Sequence, residues 1–129
     1  MNYPKGIDIS FYQNSVDYSV LCKNVDFIIM KCGEKNYSDP LFETHYKNCS
    51  NYNITLGAYF YGRARSNEEA KKEAQLCASL VKGKNFTLPI FYDVEGSPGT
   101  GYEGILYPGP YNGYTVNGIV RAFFDELSL

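Results

Sequence analysis

The chain has 129 residues, of which 44% are hydrophobic and 20% charged, and its net charge is −2. That length suits about one domain with a real core. The weak negative charge argues against nucleic acid or an anionic membrane surface as the main partner, and no apolar run approaches the ~20 residues of a membrane helix.

Taken in order, the first element is a short strand, Gly6-Ile7-Asp8-Ile9-Ser10-Phe11. Ile7 and Ile9 face one way and Asp8 and Ser10 the other. Ser15 or Asp17 could cap a helix on which Val16, Val20, Leu21 and Val25 recur at helical spacing. Asp26 to Cys32 is a nearly continuous apolar run, the texture of a parallel strand covered on both faces, and it ends in Gly33-Glu34. Ser38-Asp39-Pro40 reads as a cap with proline at a helix start, followed by an apolar face of Leu41, Phe42, Tyr46 and Cys49. Leu56 to Gly62 is a third strand. Ser66-Asn67-Glu68-Glu69 opens a helix that runs to about Lys82, and Gly83 ends it.

The stretch Leu88-Pro89-Ile90-Phe91-Tyr92-Asp93-Val94-Glu95-Gly96 reads as a fourth strand, opened by proline and stopped by glycine. Residues 97–114, with Ser97, Pro98, Gly99, Gly101, Pro108 and Pro110, have loop chemistry and enough length for a functional loop. Thr115 or Asn117 caps a last helix carrying Val116, Ile119, Val120, Phe123, Phe124 and Leu127. The order β-α-β-α-β-α-β-α predicts a parallel sheet with helices packed outside it.

Asp93 and Glu95 lie two residues apart on an apolar strand, which would put both on one face about 6–7 Å apart. Two acids so placed should have pKa values pushed up and apart. Asp8, Glu34, Asp93 and Glu95 all fall in or after strands, near the strands' C-terminal ends, where α/β folds build sites. The bland reading of each is a strand-end residue facing water. No glycine-rich phosphate loop is present, and the single histidine, His45, reads as a surface residue in mid-helix. The 13 tyrosines offer apolar faces with hydroxyls, which suits sugars, though such a count can be mere compositional habit.

Cys22, Cys32, Cys49 and Cys77 have no metal-binding spacing and read as buried small hydrophobes; a disulfide could not be paired from spacing. Four N-x-S/T sequons stand at Asn36, Asn48, Asn53 and Asn85, and matter only in a secreted eukaryotic protein. No secretory leader is visible at Met1.

Four segments together resemble the family 25 glycoside hydrolases, the lysozymes of the Chalaropsis type. They are Gly6 to Ser10 with Gln13 behind it; Phe27 to Glu34 followed by Tyr37, Asp39 and Pro40; Leu56 to Phe60; and Leu88 to Glu95. The resemblance covers nearly the whole chain. It implies a parallel β/α barrel of TIM type, of which these residues supply only the first four or so β/α units, so that 1–129 is one domain, incomplete at its C-terminus. It implies a muramidase cutting the β-1,4 bond between N-acetylmuramic acid and N-acetylglucosamine in bacterial peptidoglycan, with no metal or organic cofactor. By position Glu95 matches the general acid, Asp93 the carboxylate that orients or polarises the substrate's acetamido group, and Asp8 a further acid. Glu34, Tyr59, Tyr61 and Tyr92 are expected in the substrate groove. Burial beside Asp93 and Asp8 is expected to raise the pKa of Glu95. The protein is expected to be secreted, or lysosomal or phagosomal. Half a barrel leaves open sheet edges through which copies could associate. The alternative is a lysozyme-like module that binds wall glycans without cutting them. The Lys31-Cys32-Gly33-Glu34-Lys35 run departs from the family's Lys-Ala-Thr-Glu-Gly.

Overall fold

The computed structural model describes residues 2–96, 99–107 and 113–127. Residues 97, 98 and 108–112 of the expected loop, with its prolines, lie outside the described residues. The elements are β1 (Gly6–Ile9), α1 (Tyr18–Asn24), β2 (Phe27–Glu34), β3 (Tyr37–Ser38), α2 (Phe42–Cys49), β4 (Thr55–Tyr61), α3 (Asn67–Val81), β5 (Ile90–Asp93) and α4 (Val116–Glu126). Strands β1, β2, β4 and β5 lie side by side in that order, all parallel. Neighbours in sequence are therefore neighbours in the sheet, the winding of a β/α barrel; the sheet is not closed.

Local signals explain most boundaries. Asp17 accepts from Val20 N at 3.1 Å and caps α1. Ser66 accepts from Glu69 N at 3.1 Å while Glu69 Oε2 accepts from Arg65 N at 2.6 Å, so cap and first turn answer each other. Thr115 accepts from Gly118 N at 3.0 Å at the start of α4. Gly83, just beyond α3, sits at φ +77°.

Three expectations need correction. Ser38 and Asp39 do not cap α2, whose N-cap is Leu41 with no side-chain bond. Ser38 belongs to β3, which pairs antiparallel with the end of β2 through a turn at Lys35 (φ +52°). Asp39 instead accepts from Phe11 N at 3.1 Å and Leu41 N at 2.9 Å, tying the end of β1 to α2. The strand expected over 88–96 is only Ile90–Asp93, so Glu95 lies beyond it. His45 is buried, not on the surface: its Nδ1 pairs with Tyr18 Oη at 2.7 Å and its Nε2 with the Ser10 carbonyl at 2.9 Å.

The sheet has two unlike faces. On one, Ile28, Met30, Leu56, Ala58, Phe60 and Tyr92 pack under the helices with Phe42, Ala74, Ile119 and Phe123. The Tyr92 and Phe123 rings stack with centroids 3.8 Å apart. The registers align Asp8 with Ile29, Lys31 with Tyr59, and Tyr59 with Phe91, and these side chains share the other face. That face is open: Phe91 keeps 42% of its surface exposed. A β/α barrel whose circuit is incomplete shows this asymmetry.

Candidate active site

The C-terminal ends of the four parallel strands make one rim, and a cleft of about 260 Å³ opens there. Its walls include Ser10 after β1, Lys31 and Glu34 of β2, Tyr59 and Tyr61 of β4, Asp93 of β5 and Glu95 beyond it, with Thr100 and Tyr102 from the following loop. A larger groove of about 680 Å³ lies by the end of α3 and the start of β5. Its lining contains lysines and apolar groups but no carboxylate, so it offers no acid chemistry.

Lys31 and Glu34 reach the same cleft because of a local irregularity. Residues i and i+3 of a regular strand point to opposite faces. In β2 the pairing with β4 jumps between Lys31 and Gly33, and the extra residue, Cys32, restores the parity. Lys31 Nζ donates to Glu34 Oε1 at 2.7 Å, and Arg63 Nη1 reaches Glu34 Oε2 at 3.3 Å. Lys31 also lies 5.7 Å from the Phe11 ring centroid and 5.3 Å from that of Tyr61. Glu34 is thus a buried carboxylate held by two cations.

Asp93 is half-buried, and its carboxyl is pushed up to about 7. Burial is the main cause; a hydrogen bond with Glu95 and the charges of Glu95 and Asp8 add to it, and Lys31 opposes it. Burial falls on Asp93 and not, as expected, on Glu95, which is exposed because the strand ends before it. Asp8 is exposed and stands beside the cleft, near enough for its charge to act on Asp93. Tyr59 is half-buried among them: burial, then the charges of Asp8, Asp93, Asp39 and Glu95, push its hydroxyl well above the usual phenol range.

The loop after Glu95 is strapped over this rim. Leu106 N donates to the Glu95 carbonyl at 2.9 Å, Tyr61 Oη to the Tyr102 carbonyl at 2.7 Å, and Arg63 Nη2 to the Gly101 carbonyl at 3.0 Å. Gly99 and Gly101 hold φ of +73° and +79°, conformations that other residues enter at a cost.

The structure therefore brings Asp8, Glu34, Tyr59, Tyr61, Asp93 and Glu95 to one place. Tyr92 is not among them. It alternates with Phe91 and Asp93, so it turns to the helix layer, where its hydroxyl donates to Glu73. Sequence reasoning missed Lys31, Arg63, Tyr102 and Glu73. A lysine inside an apolar run was a usable signal for Lys31; nothing in local sequence marks Glu73, on the buried side of α3. Among the described residues no group of three or more His, Cys, Asp or Glu side chains could hold a metal ion, and no helix is long and apolar enough to cross a membrane.

Residues 7–128 match the family model for glycosyl hydrolases family 25. No curated protein matches the chain. Among solved structures, it resembles the modular autolysin LytC of Streptococcus pneumoniae with a TM-score of 0.81 at 24% identity, over 96% of this chain and 29% of that one. LytC has also been solved in complex with a synthetic peptidoglycan ligand. The family 25 lysozyme of Aspergillus fumigatus aligns with a TM-score of 0.73 at 26% identity, over 96% of this chain and 59% of that one. The catalytic domain of the endolysin ply40 from Listeria monocytogenes bacteriophage P40 aligns at 0.76 with 25% identity, over 98% and 59%. The chain thus spans less than two thirds of each of these proteins.

Proposed function

The chain belongs to glycosyl hydrolases family 25, and on that premise we propose that its cleft is a lysozyme-type active site acting on bacterial peptidoglycan. The bond cut is the β-1,4 link between N-acetylmuramic acid and N-acetylglucosamine. Glu95 is the general acid that protonates the leaving oxygen. Asp93 orients or polarises the acetamido group, which can itself serve as nucleophile, and Asp8 adds negative charge beside the oxocarbenium-like transition state. Tyr59 and Tyr61 line the sugar path, while Glu34, held by Lys31 and Arg63, stiffens its wall. Such an enzyme works where walls are met, outside the cell or in a lysosomal or phagosomal compartment.

One observation carries this reading: Asp93 and Glu95 line one cleft, where burial and the neighbouring Glu95 push the Asp93 carboxyl up to about 7. An acid–base site near neutrality needs a proton retained on one carboxyl beside an ionised one.

Clearing of a bacterial wall suspension tests it. The chain should lower turbidity, and Glu95→Gln should slow clearing by about 10²-fold or more. Clearing that survives the substitution refutes the role of Glu95. Sedimentation of the chain with walls that never clear would favour a glycan-binding module instead.

A further inference from the structure

Four cysteines allow three pairings, and the fold distinguishes between them. Cys32 Sγ, on the bulge of β2, stands 3.9 Å from Cys77 Sγ on α3, and both side chains are fully buried. Cys22 on α1 and Cys49 on α2 are electrostatic neighbours where these two helices pack. Each cysteine thus has another cysteine as its thiol neighbour. Burial as small apolar filler accounts for each residue singly. It does not account for four of them arriving as two facing couples, each joining a different pair of packed elements.

We propose that the chain carries two disulfides, Cys22–Cys49 and Cys32–Cys77, formed when it folds in an oxidising compartment. The first staples α1 to α2 and the second staples α3 to the bulge that brings Lys31 and Glu34 into one cleft. From 3.9 Å, the Cys32 and Cys77 sulfurs reach the ~2 Å of a disulfide by modest side-chain rotation. With a low-molecular-weight disulfide such as glutathione disulfide as oxidant, one cysteine thiolate attacks it and releases one glutathione. The second cysteine thiolate then attacks the protein-bound sulfur and releases the other. Two electrons pass to the oxidant, and the two thiol protons end on the two glutathiones. The exposed sequon residues Asn36, Asn53 and Asn85 fit the same compartment, where glycosylation occurs.

The two couples differ in access. Cys22 is only partly buried, whereas Cys32 and Cys77 are sealed in the core. Once the chain has folded, the Cys32 thiol, raised by its neighbour and by burial, is a poor attacker, so this bridge closes before the core does. A reductant should therefore open Cys22–Cys49 first.

The full chain is refolded in a glutathione redox buffer, alkylated, digested without reduction and mapped by mass spectrometry. The expected products are the two linked peptides, Cys22 with Cys49 and Cys32 with Cys77, and a melting temperature on the order of 10 °C above that of the reduced chain. The same map is made on chain folded with its thiols reduced and only then given glutathione disulfide, which separates native proximity from scrambling during refolding. Alkylation of all four cysteines in both preparations overturns the proposal, and so does any other pairing. In the refolded chain, one linked peptide alone overturns the assignment of the other couple; in the chain oxidised only after folding, Cys22–Cys49 alone is expected, because Cys32 and Cys77 are already sealed.

Discussion

Tyr92 Oη donates to Glu73 Oε1 at 2.5 Å in the layer between β5 and α3. Glu73 also accepts from the backbone N–H groups of Lys35, Arg63 and Ala64 at 3.0 to 3.2 Å. One buried carboxylate thus ties the turn after β2, the loop after β4 and strand β5 together, behind the cleft whose walls they carry.

Burial pushes the Glu73 carboxyl from its usual 4.5 up to about 7, against the opposing pull of those four donors. The folded chain therefore holds this proton more tightly than the unfolded chain does. Its contribution to stability is fully present below pH 4.5 and is lost as the pH rises towards 7. The loss is of order 3 kcal/mol. Glu73→Gln removes the titration but turns an amide N–H₂ towards backbone donors, so it should cost about 1–3 kcal/mol at acid pH, a deficit that closes as the pH rises towards 7. Melting temperatures of both proteins across this range test the point: the variant's curve should be lower at acid pH and flatter, and parallel curves would contradict it.

On the proposed function, Asp93 should set the alkaline limb of wall clearing. Its carboxyl is pushed up to about 7, so its proton is lost as the pH rises through that value. Wall clearing should fall tenfold per pH unit above it. The titration of Asp93, followed by carboxyl-carbon NMR, should drop towards 3.8 in Glu95→Gln, since that change removes a neighbouring charge. An unmoved Asp93 would mean that burial alone sets its pKa.

Lys31 links stability to that same limb. Lys31→Met leaves the buried Glu34 with Arg63 at 3.3 Å as its charged partner, beside the Tyr37 hydroxyl, and loss of one partner of such a pair costs about 3–5 kcal/mol. It also removes the positive charge that draws the Asp93 pKa down. Two shifts are expected together: a lower urea midpoint and an Asp93 titration moved to higher pH. A drop in stability with no change in the Asp93 titration would confine Lys31 to a structural part.

How much of this was legible beforehand follows from the range of each interaction. The caps Asp17, Ser66 and Thr115 act within three residues, so their helices could be read directly. Strand alternation separates Asp8 from Ile7 and Ile9 without tertiary knowledge, because the period of two is local. It does not carry through β2 to Glu34, where a one-residue bulge resets the parity, and the pairing of Asp93 with Glu95 on one strand face fails because the strand ends before Glu95. It also shows why Tyr92, between Phe91 and Asp93, could not enter the groove. His45 and Glu73 were missed for a different reason. Their partners lie on other elements, Tyr18 and Ser10 for one, Lys35, Arg63, Ala64 and Tyr92 for the other, so a helical sequence position looks the same whether it meets water or a buried hydroxyl.

The placement of Glu95 depends on a glycine nine positions on. A Cβ built at Gly104 would stand 2.2 Å from the Glu95 carbonyl oxygen and 2.8 Å from its carbonyl carbon, closer than any side chain tolerates. The obstacle is backbone and cannot rotate away. Nor can the loop back off freely, because Leu106 N is bonded to the same carbonyl and the Tyr102 carbonyl to Tyr61 Oη. Gly104→Ala should therefore move Glu95 itself by a sizeable fraction of an ångström. A catalytic acid displaced by about 1 Å can lose 10²-fold in rate, whereas overpacking costs about 1–3 kcal/mol of stability. Wall clearing should thus fall steeply while the chain remains folded by circular dichroism. The control is Leu106→Ala, which keeps the backbone bond and removes only a half-exposed side chain. If both variants clear walls at the parent rate, the close approach at Gly104 has no part in holding the acid.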